Sequence, residues 1–315
     1  MKPYIVVADG MDSDVFKKLQ ADTNFEVHPQ SKVTQEELKE LLPKINGLVI
    51  RSATKVNNEL LAIASNLKYV IRAGEGTDNI DKAECQKRDI RVSNTPGANN
   101  NSAAEHAIAL MMTALRRTAD ANKKLKEGGW NKSEFVGVEL WKKKIGIVGF
   151  GRIGQIVAKR LSGFEPEILF YDPFLKESPF DYAKKANSLE EIFSSCDIIT
   201  LHTPLMEATK GMVNRDLLFS MPSHSILINA SRGGIVDEKA LYELLSQNKI
   251  RSAAFDVFSE EPLAPQSQLR SLENIILTPH LGASTEEAQI RVGEMAAHQL
   301  EQFFINNNLL NEVRV

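Results

Sequence analysis

Three polar residues in the second half of the sequence have the types needed to oxidise an alcohol. Arg232 lies at the end of the apolar segment 224–234, Glu261 follows the next such segment, and His280 ends a third. A histidine can take a hydroxyl proton near neutral pH, and a carboxylate beside it fixes its tautomer. An arginine can bind a substrate carboxylate through two hydrogen bonds. Taken singly, each residue is also compatible with a structural role.

A glycine-rich motif indicates where a cofactor binds. Gly149, Gly151 and Gly154 form GxGxxG directly after an apolar run and before the helical pattern GQIVAKRL. Such glycines allow a tight turn and close approach of a pyrophosphate to a helix N-terminus. Asp172 follows 18 residues beyond Gly154, where a carboxylate would bind ribose hydroxyls and repel a 2′-phosphate. The motif favours NAD over NADP, the alternative being a glycine turn with a surface aspartate.

The segments that must position these residues alternate between strand and helix patterns. Strand-like runs rich in Ile, Val and Leu cover a first set, 4–10, 45–51, 67–76 and 90–97, and a second set, 143–151, 167–173, 196–204, 224–234, 252–258 and 274–280. Unbroken apolar runs are typical of parallel strands buried on both faces. The pattern therefore predicts an α/β fold with two doubly wound parallel-sheet domains, the larger a Rossmann dinucleotide-binding domain of six strands.

Long helical patterns mark the boundary between the two domains. One helix is predicted over 102–128 and another from near Ser284, while Thr34 and Glu37 predict a capping box at a shorter helix over 34–42. We expect residues 1–95 and 283–315 to form a substrate-binding domain and residues 96–282 to form the NAD-binding domain. The ligands would then bind in a cleft between the two domains.

Composition excludes several other classes of protein. The 315 residues carry a net charge of −3, which argues against a dedicated nucleic-acid-binding protein. Cys85 and Cys196 are the two cysteines; they have no metal-ligand spacing, so we expect no metal site and a reducing, cytoplasmic location. The longest apolar stretch, 103–115, contains Glu105 and His106 and is shorter than a bilayer span, so no membrane partner is expected.

The sequence resembles the D-2-hydroxyacid dehydrogenase family over essentially its whole length. The motifs that carry the resemblance are RSATKV (51–56), RAGEGTDNID (72–81), NTPGANNNSAAEHAIALMM (94–112), GFGRIG (149–154), YDP (171–173), LHTPL (201–205), NASRGGIVDEKAL (229–241), DVFSEEP (256–262) and TPHLGAST (278–285). The resemblance implies that Arg232, Glu261 and His280 are catalytic and that Asp256 binds the nicotinamide carboxamide. The predicted cofactor-binding residues are Gly149, Gly151, Arg152, Ile153, Gly154, Asp172, His202, Thr203, Pro204, Ala230, Ser231, Arg232, Asp256, His280 and Gly282.

Two arginines favour a phosphorylated substrate. Arg51 and Arg72 end strand-like runs of the first domain, and they match family members in which arginines at these positions contact the phosphate of 3-phosphoglycerate. The resemblance then implies oxidation of that substrate to 3-phosphohydroxypyruvate, at the start of phosphorylated serine synthesis. The predicted substrate-binding residues are Arg51, Ser52, Arg72, Gly74, Glu75, Gly76, Asn79 and Lys132, the last reaching in from a second subunit.

Other interpretations of the sequence remain open. Some relatives acting on glyoxylate or hydroxypyruvate also carry an arginine near these positions, and a catalytically silent NAD-binding corepressor would share the fold. Glu75 departs from the family pattern, and we expect its side chain to point to solvent; His106 is expected to be a core or interface histidine. The resemblance further implies a homodimer formed through residues 102–135. The chain ends soon after the substrate domain, so a C-terminal regulatory domain is not expected.

Overall fold

The apolar runs form two parallel sheets in the computed structural model, which describes residues 1–314. The first sheet has the order β2-β1-β3-β4-β5 and the second β12-β11-β10-β9-β6-β7-β8. The strands are β1 (Tyr4–Val7), β2 (Glu26–Val27), β3 (Gly47–Ile50), β4 (Tyr69–Arg72), β5 (Arg91–Asn94), β6 (Lys144–Val148), β7 (Glu167–Tyr171), β8 (Ala183–Lys185), β9 (Ile198–Leu201), β10 (Ile226–Asn229), β11 (Ser252–Phe255) and β12 (Ile275–Leu277). Two parallel-sheet α/β domains are thus confirmed.

Helices connect the strands and cover the sheets. Their bounds are α1 (Ser13–Ala21), α2 (Gln35–Leu41), α3 (Asn58–Ile63), α4 (Lys82–Lys87), α5 (Asn100–Arg116), α6 (Thr118–Lys126), α7 (Arg152–Leu161), α8 (Leu189–Ser195), α9 (Arg215–Ser220), α10 (Glu238–Ser246) and α11 (Glu286–Phe304). The capping box predicted at α2 is confirmed, because the Glu37 N–H donates to Thr34 Oγ1 at 3.2 Å and the Thr34 N–H donates to Glu37 Oε2 at 2.7 Å.

The chain divides into two compact units. The first unit is Met1–Asn99 together with the C-terminal segment that starts at Ala283, and the second is Asn100–Gly282. Each sheet separates two clusters of buried apolar side chains, as expected where helices cover both faces of a parallel sheet.

In the first unit, the sheet brings three polar residues to one edge. Ile50 of β3 pairs with Arg72 of β4, and Arg72 pairs with Asn94 of β5. Arg51 and Arg72 therefore lie at the carboxyl ends of neighbouring strands. Helix α11 packs on one face of this sheet, where Phe303 stacks on Tyr69 with ring centroids 4.3 Å apart.

In the second unit, the order of strands reverses beside β6. This strand pairs with β7 through Val148 and Tyr171, and with β9 through Val148 and Leu201. Such a switch point is where open α/β sheets bind ligands. The residues that follow these three strands, Gly149, Asp172 and His202, share one edge of the sheet.

Three elements differ from the sequence predictions. Strands β2 and β8 were not predicted, because they are two and three residues long and contain no extended apolar run. The helix predicted over 102–128 is wrong as a single element: it ends at Arg116, and Arg117 adopts a left-handed conformation (φ 50°) before α6 begins. Arg117 donates to Glu134 O at 2.6 Å and to Asp120 Oδ2 at 3.2 Å, so contacts beyond the helix hold this break.

Candidate active site

The glycine-rich turn after β6 has the shape of a pyrophosphate cradle. Gly149 has φ +87°, and a Cβ added there would lie 2.6 Å from the carbonyl oxygen of His202. A Cβ at Gly154 would lie 2.2 Å from Gly149 O, whereas the space around Gly151 is open to 4 Å. Gly151 caps helix α7 without a side-chain hydrogen bond. The first-turn N–H groups of α7 are thus suited to bind an anion.

Asp172 is fixed beside this turn by two backbone amides. The Phe150 N–H donates to Asp172 Oδ2 at 2.8 Å, and the Phe174 N–H donates to Oδ1 at 2.9 Å. The carboxylate is therefore hydrogen-bonded to the residue that stands between Gly149 and Gly151. This is the position from which an acid reaches the adenosine ribose of a dinucleotide.

His202 and Thr203 line the opposite side of the turn. The His202 Nε2 lies 2.9 Å from Thr200 Oγ1, and burial lowers the pKa of His202 to about 4, so the ring is neutral at pH 7. Thr203 Oγ1 is buried and has no hydrogen-bond partner within residues 1–314. A buried hydroxyl of this kind beside a phosphate cradle fits a polar ligand. The cradle, the acid and this hydroxyl together fit NAD.

The loop after β10 positions Arg232. Asn229 is buried, its Oδ1 accepts the Ser231 N–H at 3.2 Å, and its Nδ2 donates to Arg232 O at 3.0 Å. Arg232 itself donates from Nη1 to Ser231 O at 2.7 Å. A Cβ at Gly233 would lie 1.8 Å from Phe258 O. Glycine is required there because the loop that carries Arg232 packs directly against the segment after β11. Asn229 was not among the site residues predicted from the sequence.

Glu261 and His280 form a hydrogen-bonded pair. Glu261 Oε2 lies 2.7 Å from His280 Nδ1, and Glu261 Oε1 accepts the Phe258 N–H at 3.1 Å. Burial alone would raise the pKa of Glu261, but the hydrogen bonds and the charge of His280 hold it below its ordinary value. An ionised Glu261 accepts the Nδ1 proton, which leaves Nε2 of His280 as the basic nitrogen. The pair therefore has the arrangement of a general base and its orienting carboxylate.

Asp256 lies beneath the segment that carries His280. Its side chain is 0% exposed. Oδ1 accepts hydrogen bonds from Thr278 Oγ1 at 2.6 Å and from the Leu281 N–H at 2.7 Å, and Oδ2 accepts the Gly282 N–H at 2.9 Å. Both oxygens accept hydrogen bonds within the protein, so Asp256 also has a structural role that was not predicted from the sequence. The predicted contact with a nicotinamide carboxamide stays a prediction.

In the first unit, Asp9 and Asn79 hold the loop that carries Arg51. Asp9 Oδ2 accepts the N–H groups of Arg51 at 2.7 Å and Thr54 at 3.0 Å, and Oδ1 accepts Thr54 Oγ1 at 2.6 Å. Asn79 Nδ2 donates to the carbonyls of Arg51 and Thr54, both at 2.7 Å. Burial lowers the pKa of Arg51, and the Asp9 carboxylate opposes this change. Asp9 was not predicted, whereas Asn79 was predicted to bind substrate; it contacts this loop, and its role in substrate binding stays a prediction.

Arg72 lies across the turn that contains Gly74. The guanidinium occupies the side of Gly74 where a Cβ would point, with Arg72 Nη1 only 1.3 Å from that position, and Nη1 donates to Ala73 O at 3.1 Å. Glu75 does not simply point to solvent as expected: its Oε2 accepts the Gly97 N–H at 2.8 Å, and its carbonyl accepts Asn94 Nδ2 at 2.6 Å. The turn is therefore tied to the segment that follows β5.

Two further predicted substrate-binding residues are exposed and lie in different units. Ser52 is exposed in the first unit, and Lys132 is exposed in the second, at the start of a short 3₁₀ turn. Within each unit, the structure thus groups most of the predicted residues at one edge of a sheet. Within residues 1–314, no helix is long and apolar enough to cross a bilayer.

A seven-stranded parallel sheet whose glycine-rich turn opens a helix defines a dinucleotide-binding α/β protein. The family model of the D-isomer specific 2-hydroxyacid dehydrogenase NAD-binding domain matches residues 108–282. The chain belongs to this family and carries its NAD-binding domain.

Known proteins of several activities are similar to this chain. A D-3-phosphoglycerate dehydrogenase of Archaeoglobus fulgidus is 40% identical over 297 residues, which are 94% of this chain and 56% of the relative. A hydroxypyruvate reductase of Thermotoga maritima is 42% identical over 293 residues, 91% of this chain and 94% of the relative. The crystal structure of an NAD-dependent formate dehydrogenase from Staphylococcus aureus in complex with NAD superposes with a TM-score of 0.87, at 30% identity over 100% of this chain and 99% of that one.

The match in length differs between these relatives. The chain spans little more than half the length of the phosphoglycerate dehydrogenases from Archaeoglobus fulgidus (56%) and Synechocystis (54%). It spans nearly the whole Thermotoga maritima hydroxypyruvate reductase.

Proposed function

We propose that this chain is an NAD-dependent 2-hydroxyacid dehydrogenase that oxidises 3-phospho-D-glycerate to 3-phosphohydroxypyruvate. Membership of the family supports the reaction class. The relatives named D-3-phosphoglycerate dehydrogenase, each about 40% identical to this chain, support the substrate.

The catalytic residues have separate tasks in this proposal. Bound NAD supplies a hydride acceptor. His280 takes the C2 hydroxyl proton at Nε2, because its Nδ1 keeps a proton that it donates to Glu261. The distance from His280 Nδ1 to Glu261 Oε2 is 2.7 Å. The ionised Glu261 stabilises the imidazolium that results, and Arg232 binds the substrate carboxylate and the C2 oxygen. In the reverse direction, the same imidazolium returns the proton to the keto oxygen.

The cofactor preference rests on Asp172. The residues of the cradle, Gly149, Gly151 and Gly154 with the first turn of α7, would bind the pyrophosphate. Asp172 would accept hydrogen bonds from the ribose hydroxyls, and its charge would repel a 2′-phosphate. We therefore propose NAD rather than NADP as the cofactor.

The observation that carries the substrate assignment is the pair of arginines in the first unit. Arg51 and Arg72 end adjacent strands of one parallel sheet, and Asp9 fixes the backbone from which Arg51 projects. A substrate with both a carboxylate and a phosphate needs more cationic groups than an unphosphorylated hydroxy acid. We propose that these arginines bind the phosphate, with Lys132 of a second subunit as a further cation.

A hydroxypyruvate or glyoxylate reductase is the second candidate. It is favoured by the Thermotoga maritima relative, which this chain matches over nearly its full length. This activity would use the same acid–base pair, and the arginines would then bind no phosphate.

The reverse reaction separates the two candidates. Purified protein and NADH would be mixed with 3-phosphohydroxypyruvate, hydroxypyruvate or glyoxylate, and the loss of NADH absorbance followed. A kcat/KM at least about 100-fold higher for the phosphorylated compound is expected, which corresponds to about 2.7 kcal/mol of transition-state discrimination. Equal or higher values with an unphosphorylated substrate would establish the second candidate, and no turnover with any of them would contradict both.

We further propose that the protein is a homodimer. No residue of helix α6 is buried within the described chain, and Trp130 and Val136 are 78% and 70% exposed. Apolar side chains this exposed, close together in the sequence, are typical of a surface that a second subunit covers. Sedimentation analysis should give twice the monomer mass, and a Trp130→Glu variant should dissociate. A monomeric wild-type protein would contradict this proposal.

We propose that the reaction stands at the start of phosphorylated serine synthesis, as the oxidation of 3-phospho-D-glycerate implies.

We also propose a cytoplasmic location. The two cysteines, Cys85 and Cys196, are free thiols and buried. Burial raises the pKa of each to about 11, so both stay protonated at neutral pH. Two unpaired thiols are compatible with a reducing compartment, and immunolocalisation of the tagged protein would test it.

A further inference from the structure

The proposed reaction leaves one partly buried histidine of the second unit without a role. His106 lies in helix α5 and was expected from the sequence to be a core or interface histidine. Its side chain is 18% exposed, and its Nε2 lies 3.1 Å from Asp256 Oδ1 and 3.3 Å from Thr278 Oγ1. The imidazole therefore contacts a fully buried carboxylate rather than apolar neighbours alone.

That carboxylate in turn holds the backbone on both sides of His280. Asp256 accepts the Leu281 N–H at 2.7 Å and the Gly282 N–H at 2.9 Å through its side chain, and its carbonyl accepts the His280 N–H at 2.9 Å. Three consecutive amides, from His280 to Gly282, thus donate to one residue. Asp256 fixes the whole turn from which the His280 ring projects.

The turn needs such fixing because of its backbone conformation. His280 has φ +55°, in the left-handed region that is unfavourable for a residue with a Cβ. A residue in this region keeps its conformation only where the surroundings hold it in place. The hydrogen bonds from His106, Thr278 and Leu281 outweigh burial and hold the pKa of Asp256 below its ordinary value, so the carboxylate is ionised and can accept all of them.

We propose that His106 is a positioning residue for His280: its Nε2 holds Asp256 Oδ1, and Asp256 holds the turn that presents the His280 ring. This inference rests on the proposed function, because it assigns His280 as the base. His106 itself touches neither substrate nor cofactor in this proposal. Its contribution is to keep the carboxylate, and with it the turn, in one arrangement.

Two substitutions of similar polarity separate this role from simple packing. The amide nitrogen of glutamine stands as many bonds from Cβ as the imidazole Nε2, whereas that of asparagine stands one bond closer. His106→Gln can therefore donate to Asp256 Oδ1, and His106→Asn falls short. His224→Leu is the matched control, because His224 Nε2 binds Asp197 Oδ1 at 2.7 Å before β10 begins, at the other end of the strands.

The first measurement is steady-state kinetics in the reductive direction. We expect His106→Asn to lower kcat about 10- to 100-fold, as a small displacement of a catalytic group does, with KM for the keto acid changed less than about threefold. His106→Gln should stay within about threefold of wild type in kcat, and His224→Leu should be unchanged. Equal losses in the Gln and Asn variants, or no loss in either, would overturn the proposal.

The second measurement does not depend on activity. Hydrogen–deuterium exchange at the Leu281 and Gly282 amides should be at least about tenfold faster in His106→Asn than in wild type and His106→Gln. Exchange at these amides that is unaffected in His106→Asn would overturn the proposal even if kcat falls. If wild-type protein turns over none of the keto acids, the proposed function fails, while the exchange comparison still tests whether His106 holds the turn.

Discussion

The carboxylate of Asp9 accepts the backbone N–H of Arg51 at 2.7 Å, although the two residues are 42 positions apart in the chain. Asp9 also binds the N–H and the hydroxyl of Thr54. An acid beside a proposed anion-binding arginine would weaken the binding of the anion if the two side chains formed an ion pair. Here the carboxylate binds the loop backbone, so it holds the arginine in place.

Arg51→Ala should raise KM for 3-phosphohydroxypyruvate by about 10- to 100-fold, the loss expected for a hydrogen bond between charged groups. KM for hydroxypyruvate should change by less than about threefold. Asp9→Ala should give the same pattern more weakly, because it frees the loop but leaves the guanidinium. Initial rates with both substrates provide the comparison, and equal effects on the two substrates would remove Arg51 from the phosphate site.

Gly74→Ala should reduce kcat/KM for the phosphorylated substrate at least about tenfold, because the new methyl group would displace the Arg72 guanidinium that now lies 1.3 Å from its position. Gly211→Ala is the control: Gly211 also has a positive φ of 62°, but a Cβ there meets nothing within 4 Å. Both variants carry backbone strain, and only the first should lose substrate affinity. Similar losses in both would show that strain alone is responsible.

Glu261→Gln should lower kcat about 100-fold while the affinity for NADH stays unchanged. The one oxygen of glutamine can still accept the Nδ1 hydrogen bond from His280 if the Phe258 N–H loses its acceptor, but glutamine lacks the charge that stabilises the imidazolium. Stopped-flow turnover and fluorescence titration with NADH measure the two quantities separately. An unchanged kcat would mean that the Glu261 charge does not assist His280 in catalysis.

Asp256→Asn should destabilise the protein by about 1–3 kcal/mol at pH 7, because an amide in place of Oδ2 leaves the buried Gly282 N–H without an acceptor. The folded-state pKa of Asp256 lies below its ordinary value, so its stabilising contribution is complete above the unfolded pKa of about 3.9 and is lost as pH falls through the folded value. Urea unfolding of both proteins should show the difference shrinking below about pH 4. A difference that is constant with pH would contradict the assigned ionisation.

The sequence predicted the strands that carry the site, because each is an unbroken apolar run that ends in a polar residue. From this pattern Glu261 and His280 were expected at neighbouring strand ends, and the structure joins them by a hydrogen bond. The position of Asp172 beside the glycine-rich turn was predicted in the same way, from its spacing of 18 residues beyond Gly154. Their roles in catalysis and cofactor binding remain proposals.

Other parts of the site could not be predicted, because they depend on contacts between distant residues. His106 lies 172 positions from Thr278, its partner, and its apolar helix gives no sign of a buried carboxylate nearby. Glu75 is similar: a surface position was the simplest expectation for a lone acid in a glycine turn, and only the fold shows that Gly97 donates to it. The sequence around Arg117 also contains no helix-breaking residue that would indicate the break between α5 and α6.

The hydrogen bond from Phe150 to Asp172 has a consequence for redesign of this protein. The acid proposed to discriminate between the two nicotinamide dinucleotides is also the acceptor for an amide inside the phosphate cradle. A substitution that admits a 2′-phosphate by a side chain with no acceptor oxygen would therefore loosen the cradle at the same time. The same side chain contributes to cofactor selectivity and to the rigidity of the cradle, so an exchange of cofactor preference has to keep an acceptor for that amide.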